Sequence, residues 1–375
     1  MAKKMYIGVD GVARKVKKAY VGVDNVARKV KKMYMGVEGV ARCIFSSGGE
    51  VVYYGTATEL SQGRVYIAST SVGNHALFAG GTTSDFTDLS TVDAYNTSLT
   101  RTTPTELSKA RHKIGAAPVG NYAVFAGGAY DYFSYCTTVD AYDTSLTRTT
   151  PTALSVKGGE IAATPVGDYA LFGGGTSFRY SVVDAYNTSL TRTTPTELSQ
   201  GRNGISATSV GNYALFAGGT SGSGYLSTVD AYDTSLTRTT PTVLSVARSA
   251  LASTSVGNNA LFGGGYSAGG VTAVVDAYDA SLTRTTPTEL SQSKYYLAAT
   301  TTGIYALFGG GYDGSAVLST VDVYDASLTK SVTTNLSQAR DEFAASSVGN
   351  YALFGGGNGA GGVTAVVDAY TYTSE

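Results

Sequence analysis

The sequence repeats one tetrapeptide, and this repetition constrains the fold more than any other feature. Val-Asp-Ala-Tyr, with Ala replaced once by Val, recurs seven times at intervals of 44 to 47 residues. A Gly-Gly pair that ends an apolar run recurs in step with it. A fixed period of this length is typical of architectures in which each unit packs on its neighbours. The aspartates of the seven copies are Asp93, Asp140, Asp184, Asp230, Asp276, Asp322 and Asp368.

Each unit is predicted to contain four short β-strands and no helix. Short runs rich in Val, Tyr, Thr and Phe alternate with turn residues, and no segment shows the period of an amphipathic helix. Gly211-Asn212, for example, provides a turn because both residues accept positive φ at little cost. In the fourth unit we predict strands at 205–210, 213–217, 228–233 and 237–244.

Four strands per unit and seven units predict an all-β fold, a seven-bladed β-propeller. The last unit stops after its third strand, at 368–372. Residues 51–61, ahead of the first unit, match the end of a fourth strand such as 193–199. We therefore predict that 51–61 completes blade seven, since an unclosed ring would leave an exposed sheet edge. The predicted propeller spans 46–375, with blades at 64–107, 111–154, 158–198, 202–244, 248–290, 294–336 and 340–372.

Three features of each unit recur in one order. An apolar second strand ends in Gly-Gly, as at 214–219, a third strand ends in Tyr-Asp, as at 229–233, and an Arg follows strand four, as at Arg248. In this the chain resembles the kelch-repeat propellers over residues 51–375, which implies four-stranded blades. The Trp that family members usually carry near the start of strand four is missing, and Thr or Arg stands there. The arginines are Arg101, Arg148, Arg192, Arg238 and Arg284.

Differences between the copies concentrate on one predicted face. Because strand direction alternates, the loops from strand four to one and from strand two to three emerge on the same side. The turns of the opposite side, Val-Gly-Asn-Tyr and Thr-Ser-Leu-Thr-Arg, are nearly constant. At the start of strand one a residue pair changes in every copy, and an apolar residue follows it. The pairs are Val65-Tyr66, His112-Lys113, Gly159-Glu160, Asn203-Gly204, Ser249-Ala250, Tyr295-Tyr296 and Asp341-Glu342, followed by Ile67, Ile114, Ile161, Ile205, Leu251, Leu297 and Phe343.

The loops between strands two and three also vary, and they are rich in aromatic residues. Tyr supplies a large rigid contact area with a polar tip, which is typical of recognition surfaces, and a sugar ring can stack on it. The alternative is drift, because exposed loops vary when nothing constrains them. The constancy of the equally exposed opposite turns favours recognition. The candidate ligand-binding residues are Tyr66, Phe86, His112, Lys113, Tyr130, Tyr132, Phe133, Tyr135, Phe178, Arg179, Tyr180, Asn203, Tyr225, Tyr266, Tyr295, Tyr296, Tyr312, Asp341 and Glu342.

A base precedes the variable pair in six units, and Gly158 takes its place in the third. Six cations near a channel mouth could hold an anionic ligand. The more favoured alternative is structural, in which each base ties neighbouring blades by binding carbonyls or the Glu of Glu-Leu-Ser, at Glu106, Glu197 and Glu289. The Asp of each Val-Asp-Ala-Tyr is also interpreted as structural, since catalysis would not need seven copies. The bases are Arg64, Arg111, Arg202, Arg248, Lys294 and Arg340.

Two His and two Cys in 375 residues leave little material for metal sites, cysteine nucleophiles or disulfides. The kelch resemblance admits enzymes, including copper radical oxidases and sugar epimerases. A copper site would need converging His and Tyr ligands, but His112 opens strand one on the variable face and His75 opens strand two on the opposite face. Cys43 and Cys136 have no assigned role, and no nucleophile elbow or phosphate-binding loop occurs. We predict a non-enzymatic protein with no catalytic residues, metal or cofactor.

Residues 1–45 form a basic arm with a second repeat, of period 14. They carry 11 Lys and Arg and 3 acids, a net charge of +8, so the body carries −9. Strand, two-residue turn and returning strand alternate, which predicts β-hairpins. The turns are Asp10-Gly11, Asp24-Asn25 and Glu38-Gly39, in register with Tyr6, Tyr20 and Tyr34. In the first hairpin, pairing places Met5, Ile7, Val9, Val12 and Val16 on one side, and Lys4, Tyr6, Gly8, Ala13, Lys15 and Lys17 on the other.

This thin meander cannot bury its apolar side alone, so we expect it to dock on the propeller, on another copy or on a larger particle. Nucleic-acid binding is less favoured, because the regular Lys spacing follows from the repeat. The Tyr-x-Gly-Val units resemble short repeats that precede variable domains in structural proteins of phages and prophages of gut bacteria. That resemblance implies an attachment arm followed by a display domain.

We therefore predict a recognition protein that displays a diversified, Tyr-rich propeller face and is anchored by its arm to an assembly such as a phage tail. Its target would be a host-surface glycan or protein. An intracellular kelch-type interaction scaffold and a carbohydrate-active enzyme remain as alternatives. No apolar run is long enough for a membrane helix, and residues 1–18 are too basic and interrupted for a signal peptide. We expect synthesis in the cytoplasm, association with a particle and no membrane insertion.

Overall fold

The chain forms an all-β, propeller-like fold. The structure is a computed structural model, and it describes residues 6–9, 12–15, 20–23, 26–29, 32–37, 40–46, 49–131, 134–175 and 180–373, with side chains from residue 49 onward. Every regular element in these ranges is a strand. The chain divides into two compact units, Met1–Val52 with Tyr372–Glu375, and Tyr53–Thr371.

Seven four-stranded sheets make up the repeated region, one per sequence unit. The first strands are Ala68–Val72, Gly115–Val119, Ala162–Val166, Ser206–Val210, Ala252–Val256, Ala298–Thr301 and Ala344–Val348. The second strands are His75–Ala79, Tyr122–Ala126, Tyr169–Gly173, Tyr213–Ala217, Asn259–Gly263, Tyr305–Gly309 and Tyr351–Gly355. The third strands are Val92–Asn96, Val139–Asp143, Val183–Asn187, Val229–Asp233, Val275–Asp279, Val321–Asp325 and Val367–Thr373.

The fourth strands are shorter than the sequence predicts. They are Arg101–Thr102, Arg148–Thr149, Arg192–Thr193, Arg238–Thr239, Arg284–Thr285 and Lys330–Val332, and the seventh sheet uses Glu50–Thr56. The prediction of 237–244 was wrong because Pro241 follows two residues after the last paired one and has no N–H to donate. The sixth unit has Thr333 at the position of this proline, and there the strand runs one residue further.

Small hairpins and short strands extend the variable loops of several units. The paired segments are Ala129–Tyr130 with Ser134–Tyr135, Thr220–Ser221 with Gly224–Tyr225, Tyr266–Ser267 with Gly270–Val271, and Asn358–Gly359 with Gly362–Val363. Arg248–Ser249 and Arg340–Asp341 join the third and fourth of these hairpins as an extra strand.

The constant tetrapeptide ties each unit to the one before it. Within a sheet, the Tyr ring packs edge-on against the Phe of the second strand, with centroids 5.7 to 6.0 Å apart. The Tyr hydroxyl donates to a Thr carbonyl of the preceding segment, as from Tyr232 to Thr196 at 2.8 Å. The Asp accepts from the backbone N–H of a preceding Ser, as from Ser199 to Asp230 at 3.1 Å. Repetition of these contacts explains why the tetrapeptide changes so little between copies.

Successive first strands lie side by side, and Ala344–Val348 of the seventh unit contacts Ala68–Val72 of the first. The Gly-Gly pairs allow adjacent units to approach closely. A methyl group at Gly264, where φ is +69°, would lie 2.4 Å from the carbonyl oxygen of Lys294 in the next unit. Only glycine has room at such a contact, and it accepts positive φ without strain.

The described residues of the arm form three antiparallel strand pairs. They pair Tyr6–Val9 with Val12–Lys15, Tyr20–Val23 with Val26–Lys29, and Lys32–Val37 with Val40–Ser46. The predicted turns, together with Lys4, Met5, Val16 and Lys17, lie outside the described residues. The register sets Val9 opposite Val12 but Ile7 opposite Arg14. The side predicted to be apolar therefore includes an arginine position.

Candidate functional site

The second residue of every variable pair lines one cavity of about 490 Å³, and the first residues Asn203 and Ser249 line it as well. We call the seven second residues the variable ring, and six of the apolar residues that follow them form an apolar wall of the same cavity. The variable ring consists of Tyr66, Lys113, Glu160, Gly204, Ala250, Tyr296 and Glu342, and the apolar wall includes Ile67, Ile114, Ile161, Ile205, Leu297 and Phe343.

The backbone of the variable ring is left-handed in all seven units, with φ between 52° and 63°. Six of the seven residues are not glycine, and a left-handed conformation in such residues is uncommon. Six backbone hydrogen bonds of 2.8 to 3.2 Å link successive members of the variable ring. One of the six joins the ends of the repeat, from the N–H of Tyr66 to the carbonyl of Glu342. Consistent strain at one position marks a site that the surrounding structure holds in place.

Charges and phenols in the variable ring form two pairs. The Tyr66 hydroxyl donates to Oε1 of Glu342 at 2.8 Å, and the Lys113 ammonium donates to Glu160. Burial raises the pKa of Glu342, and the neighbouring carboxylates of Asp341 and Glu160 act in the same direction. Burial and the adjacent Glu342 raise the pKa of Tyr66 well above its usual value. The phenol is therefore a neutral donor at physiological pH.

The first members of the variable pairs connect the ring to the second group of variable loops. His112 forms a β-bridge with Ala129, Asn203 with Thr220, and Tyr295 with Tyr312. Ser249 pairs with Tyr266, and Asp341 with Asn358, through short strands. Each of these partners directly follows a Gly-Gly pair. The variable pairs and the variable loops between strands two and three are therefore adjacent in space.

Five of the predicted residues form a continuous tyrosine cluster across units four, five and six. Ring centroids are 5.9 Å apart between Tyr225 and Tyr266, 5.4 Å between Tyr266 and Tyr295, and 5.7 Å between Tyr295 and Tyr312. Tyr296, 4.8 Å from Tyr295, belongs both to this cluster and to the variable ring. Tyr296 is 47% exposed and Tyr266 is 37% exposed. Their separations fall within the range of favourable aromatic pairs.

A second group of candidates lies around units one and two. His112 pairs through Nδ1 with Asp88 at 2.6 Å, and its ring lies 5.9 Å from that of Tyr66. Asp88 also accepts from the backbone N–H of Asp131 at 2.9 Å. Asp88 is not among the residues predicted from the sequence, because nothing in the repeat distinguishes this loop position. Phe86 is 62% exposed.

The remaining candidates have diverse surroundings. The Lys109 ammonium lies over the ring of Tyr130. Tyr135 is close to Gly159, where an added methyl group would meet its ring at 3.1 Å. Asn203 accepts from the Thr220 hydroxyl at 2.8 Å. Asp341 is only 8% exposed, and Tyr180 lines a small second cavity. Tyr132, Phe133, Phe178 and Arg179 lie outside the described residues.

The bases considered as an anion ring are not available to a ligand. All six are fully buried, and each forms an ion pair of 2.6 to 2.9 Å with the Asp of the tetrapeptide in its unit. Because those aspartates are buried too, the bases are needed inside to neutralise them. Arginines among these bases also donate to backbone carbonyls, as Arg202 does to Phe216 at 3.1 Å, so carbonyl contacts are present, but the ion-pair partner is the tetrapeptide Asp and not the Glu. Glu106 and Glu197 instead accept from Ser90 and Ser181. The anion-ring residues are Arg64, Arg111, Arg202, Arg248, Lys294 and Arg340.

Within the described part of the chain, no group of three or more His, Cys, Asp or Glu could hold a metal ion. In the same residues no helix is long and apolar enough to cross a membrane. Cys136 is a buried free thiol that contacts the carbonyl of Gly128 at 3.6 Å.

Comparison with known proteins identifies the fold and no family. No family model matches the chain, and no curated protein matches it. A solved structure described as the structure of YjhT is similar, with a TM-score of 0.54 and 15% sequence identity, over 71% of this chain and 96% of that one. At this identity the likeness concerns the fold alone, and it supports the propeller-like architecture.

Proposed function

We propose that the repeated region is a closed, seven-bladed, kelch-like propeller that acts by binding and not by catalysis. Seven four-stranded sheets support the blade number. Support for closure comes from the contact between Ala344–Val348 and Ala68–Val72, and from the bond between Tyr66 and Glu342. The use of Glu50–Thr56 as the fourth strand of the seventh sheet agrees with both.

The binding proposal rests on the location of the residues that differ between copies. The variable ring lines one cavity, the tyrosine cluster joins it at Tyr296, and both sets lie at positions that differ between copies of an otherwise regular repeat. The turns between strands three and four are constant for a structural reason. Oδ1 of Asp233, for example, accepts from the backbone N–H groups of Ser235 and Thr237 at 2.9 Å. A strained framework that presents different side chains is typical of a recognition surface.

The chemistry of this surface suits a polyhydroxylated or polar partner. Phenols combine an apolar ring with a donor, and the carboxylates of Glu160 and Glu342 accept hydrogen bonds from hydroxyl or amide groups. We propose a host-surface glycan or protein as the target. The arm would attach the propeller to a particle such as a phage tail, and its net charge of +8 and resemblance to phage structural repeats support this role.

Binding of the labelled full chain to a panel of intact gut bacteria and their purified surface polysaccharides tests the proposal. The variant Tyr266→Ala/Tyr295→Ala/Tyr312→Ala removes most of the tyrosine cluster. Tyr54→Ala is a matched control, because Tyr54 is 59% exposed and lies on the fourth strand of the seventh sheet, outside the cluster. We expect binding by the wild type and the control, and its loss in the triple variant.

Equal binding by all three proteins would contradict the proposed face. Absence of binding to every surface would favour the alternative of an intracellular interaction scaffold. Circular dichroism of the triple variant separates loss of binding from loss of fold.

A further inference from the structure

One unit lacks the buried base that the other six contain. In the third unit Gly158 occupies its position, but the tetrapeptide aspartate, Asp184, is retained and is 3% exposed. The backbone keeps the arrangement of the other units. The N–H of Gly128 donates to the carbonyl of Gly158, as the N–H of Gly175 does to the carbonyl of Arg202. A buried carboxylate therefore remains where its usual partner is missing.

The remaining contacts of Asp184 leave its charge poorly compensated. Its Oδ2 accepts from the N–H and hydroxyl of Ser155 at 3.0 and 2.9 Å. Among the described residues, its Oδ1 accepts no hydrogen bond, and the closest atom of Arg192, Nε, is 3.6 Å away. The Nη1 of Arg192 donates instead to the carbonyl of Ala153 at 2.7 Å. Asp276 in the fifth unit, by contrast, has Arg248 at 2.8 Å and Arg284 at 2.9 Å.

A small cavity adjoins this carboxylate and is lined by Gly158, Phe172, Val182 and Asp184 among others. Its volume of about 10 Å³ has room for about one particle the size of a water molecule. In the sixth unit the corresponding position holds the Lys294 ammonium, 2.9 Å from Asp322 Oδ2 and 3.2 Å from Thr320 Oγ1. In the sixth unit, an ammonium group therefore fits at the position that corresponds to this cavity.

We propose that the cavity beside Asp184 binds an ammonium-sized monovalent cation, which neutralises the carboxylate as the side chain of Lys294 does in unit six. Burial raises the pKa of Asp184. Burial acts on Asp322 as well, but Lys294 outweighs it and the net shift of that pKa is downward. The contrast indicates that the carboxylate of the third unit has no partner strong enough to offset its desolvation.

The thermal midpoint of the full chain tests this site, measured in ammonium, potassium and tetramethylammonium chloride at equal ionic strength. Tetramethylammonium is too large for the cavity. We expect the midpoint to be higher in ammonium or potassium chloride, by on the order of 2 °C at saturation. A larger effect of ammonium than of potassium would indicate that directional N–H donors matter.

Two variants decide whether the effect comes from this cavity. Gly158→Arg supplies the missing base, and of the residues that the structure describes a Cβ at this position meets only Ile161, at 3.4 Å or more. Asp184→Asn removes the charge with little change in shape. Both should abolish the dependence on the cation. Equal midpoints of the wild type in the three salts, or a difference that persists in either folded variant, would overturn the proposal.

Discussion

At the scale of single residues, the central feature is a buried ion pair that six units share. Arg202 donates to Asp230 at 2.6 Å and to the carbonyl of Phe216 at 3.1 Å, and both charged side chains are fully buried. Arg238 adds a second contact to Asp230 at 2.8 Å. Such a pair adds little net stability over apolar packing, but loss of one partner leaves a buried charge without compensation.

The third unit, which has the aspartate but no buried base, is an internal control for the role of the ion pair. We expect Asp230→Asn to lower the free energy of unfolding by about 3–5 kcal/mol, because Arg202 then stays buried without an anion. Asp184→Asn should change it by less than about 1 kcal/mol, since no buried base depends on that carboxylate. Denaturant unfolding of both variants measures the difference. Equal losses would show that the aspartates act through hydrogen bonds to Ser and not through charge.

Asp184 should give the stability of the protein an unusual pH dependence. Because burial raises the pKa of Asp184, its folded form binds a proton more readily than its unfolded form. Its contribution to stability is therefore least favourable at neutral pH and improves as pH falls towards the unfolded pKa of about 3.9. Asp322 behaves in the opposite way: its pKa is lowered, so its contribution to the stability of the protein is lost in acid.

Melting curves from about pH 7 to pH 4, in tetramethylammonium chloride, compare the wild type with Asp184→Asn. The midpoint of the variant should exceed that of the wild type most at neutral pH, and the gap should narrow as pH falls. A gap independent of pH would contradict an elevated pKa for Asp184.

At the scale of elements, each unit presents its variable residue on a left-handed backbone. The left-handed conformation costs a non-glycine residue about 1–2 kcal/mol, and backbone bonds such as the one from Tyr296 to Ala250, at 3.2 Å, hold it in place. Because the bonds use only backbone atoms, any side chain can occupy the position. The stability of this backbone conformation therefore does not depend on which side chain the residue carries.

Ala250→Gly isolates the cost of this conformation. Its φ is 53°, and Gly204 is a natural glycine at the equivalent position. We expect the substitution to raise the free energy of unfolding by about 0.5–1 kcal/mol, as relief of strain exceeds the entropy lost by glycine. Chemical denaturation gives this value. Ala207→Gly, within an ordinary strand, is the control and should destabilise the protein.

At the scale of the whole molecule, the seventh sheet joins segments from opposite ends of the repeated region. The Tyr53 hydroxyl donates to Asp368 at 2.7 Å, and its ring lies 5.2 Å from that of Tyr370. The N–H of Ala57 donates to the carbonyl of Val367 at 2.9 Å. A segment that pairs in this way would hold a closed ring together.

Deletion of residues 46–61 should therefore lower the melting temperature of the entire repeated region, because the seventh sheet loses its fourth strand and exposes an edge. Deletion of residues 1–45 is the matched control and should leave a cooperative transition at the wild-type temperature. Differential scanning calorimetry measures both. A wild-type melting temperature without 46–61 would refute a closing role for this strand.

Much of the fold was predictable, because a strand pattern that is weak in one unit recurs in seven units. The second and third strands agree closely with the expected segments, as at Tyr213–Ala217 and Val229–Asp233. The fourth strand was overextended, because apolar and Thr-rich residues continued past Pro241. The variable pairs identified the residues around the cavity, but the candidate set omitted Glu160, Gly204, Ser249 and Ala250, which line it as well. Their small or charged side chains offered no aromatic signal.

The sequence alone determined the repeat length, the strand content and the positions at which copies differ, since each follows from local periodicity. The partner of Arg202 and the other buried bases was decided only by tertiary structure. The sequence suggested backbone carbonyls or a Glu, and the fold adds the tetrapeptide Asp as the buried ion-pair partner of the base. The left-handed variable ring was also invisible, because only one of its seven members is glycine. Both depend on contacts between residues distant in sequence, and local patterns do not encode the energy of burying a charge.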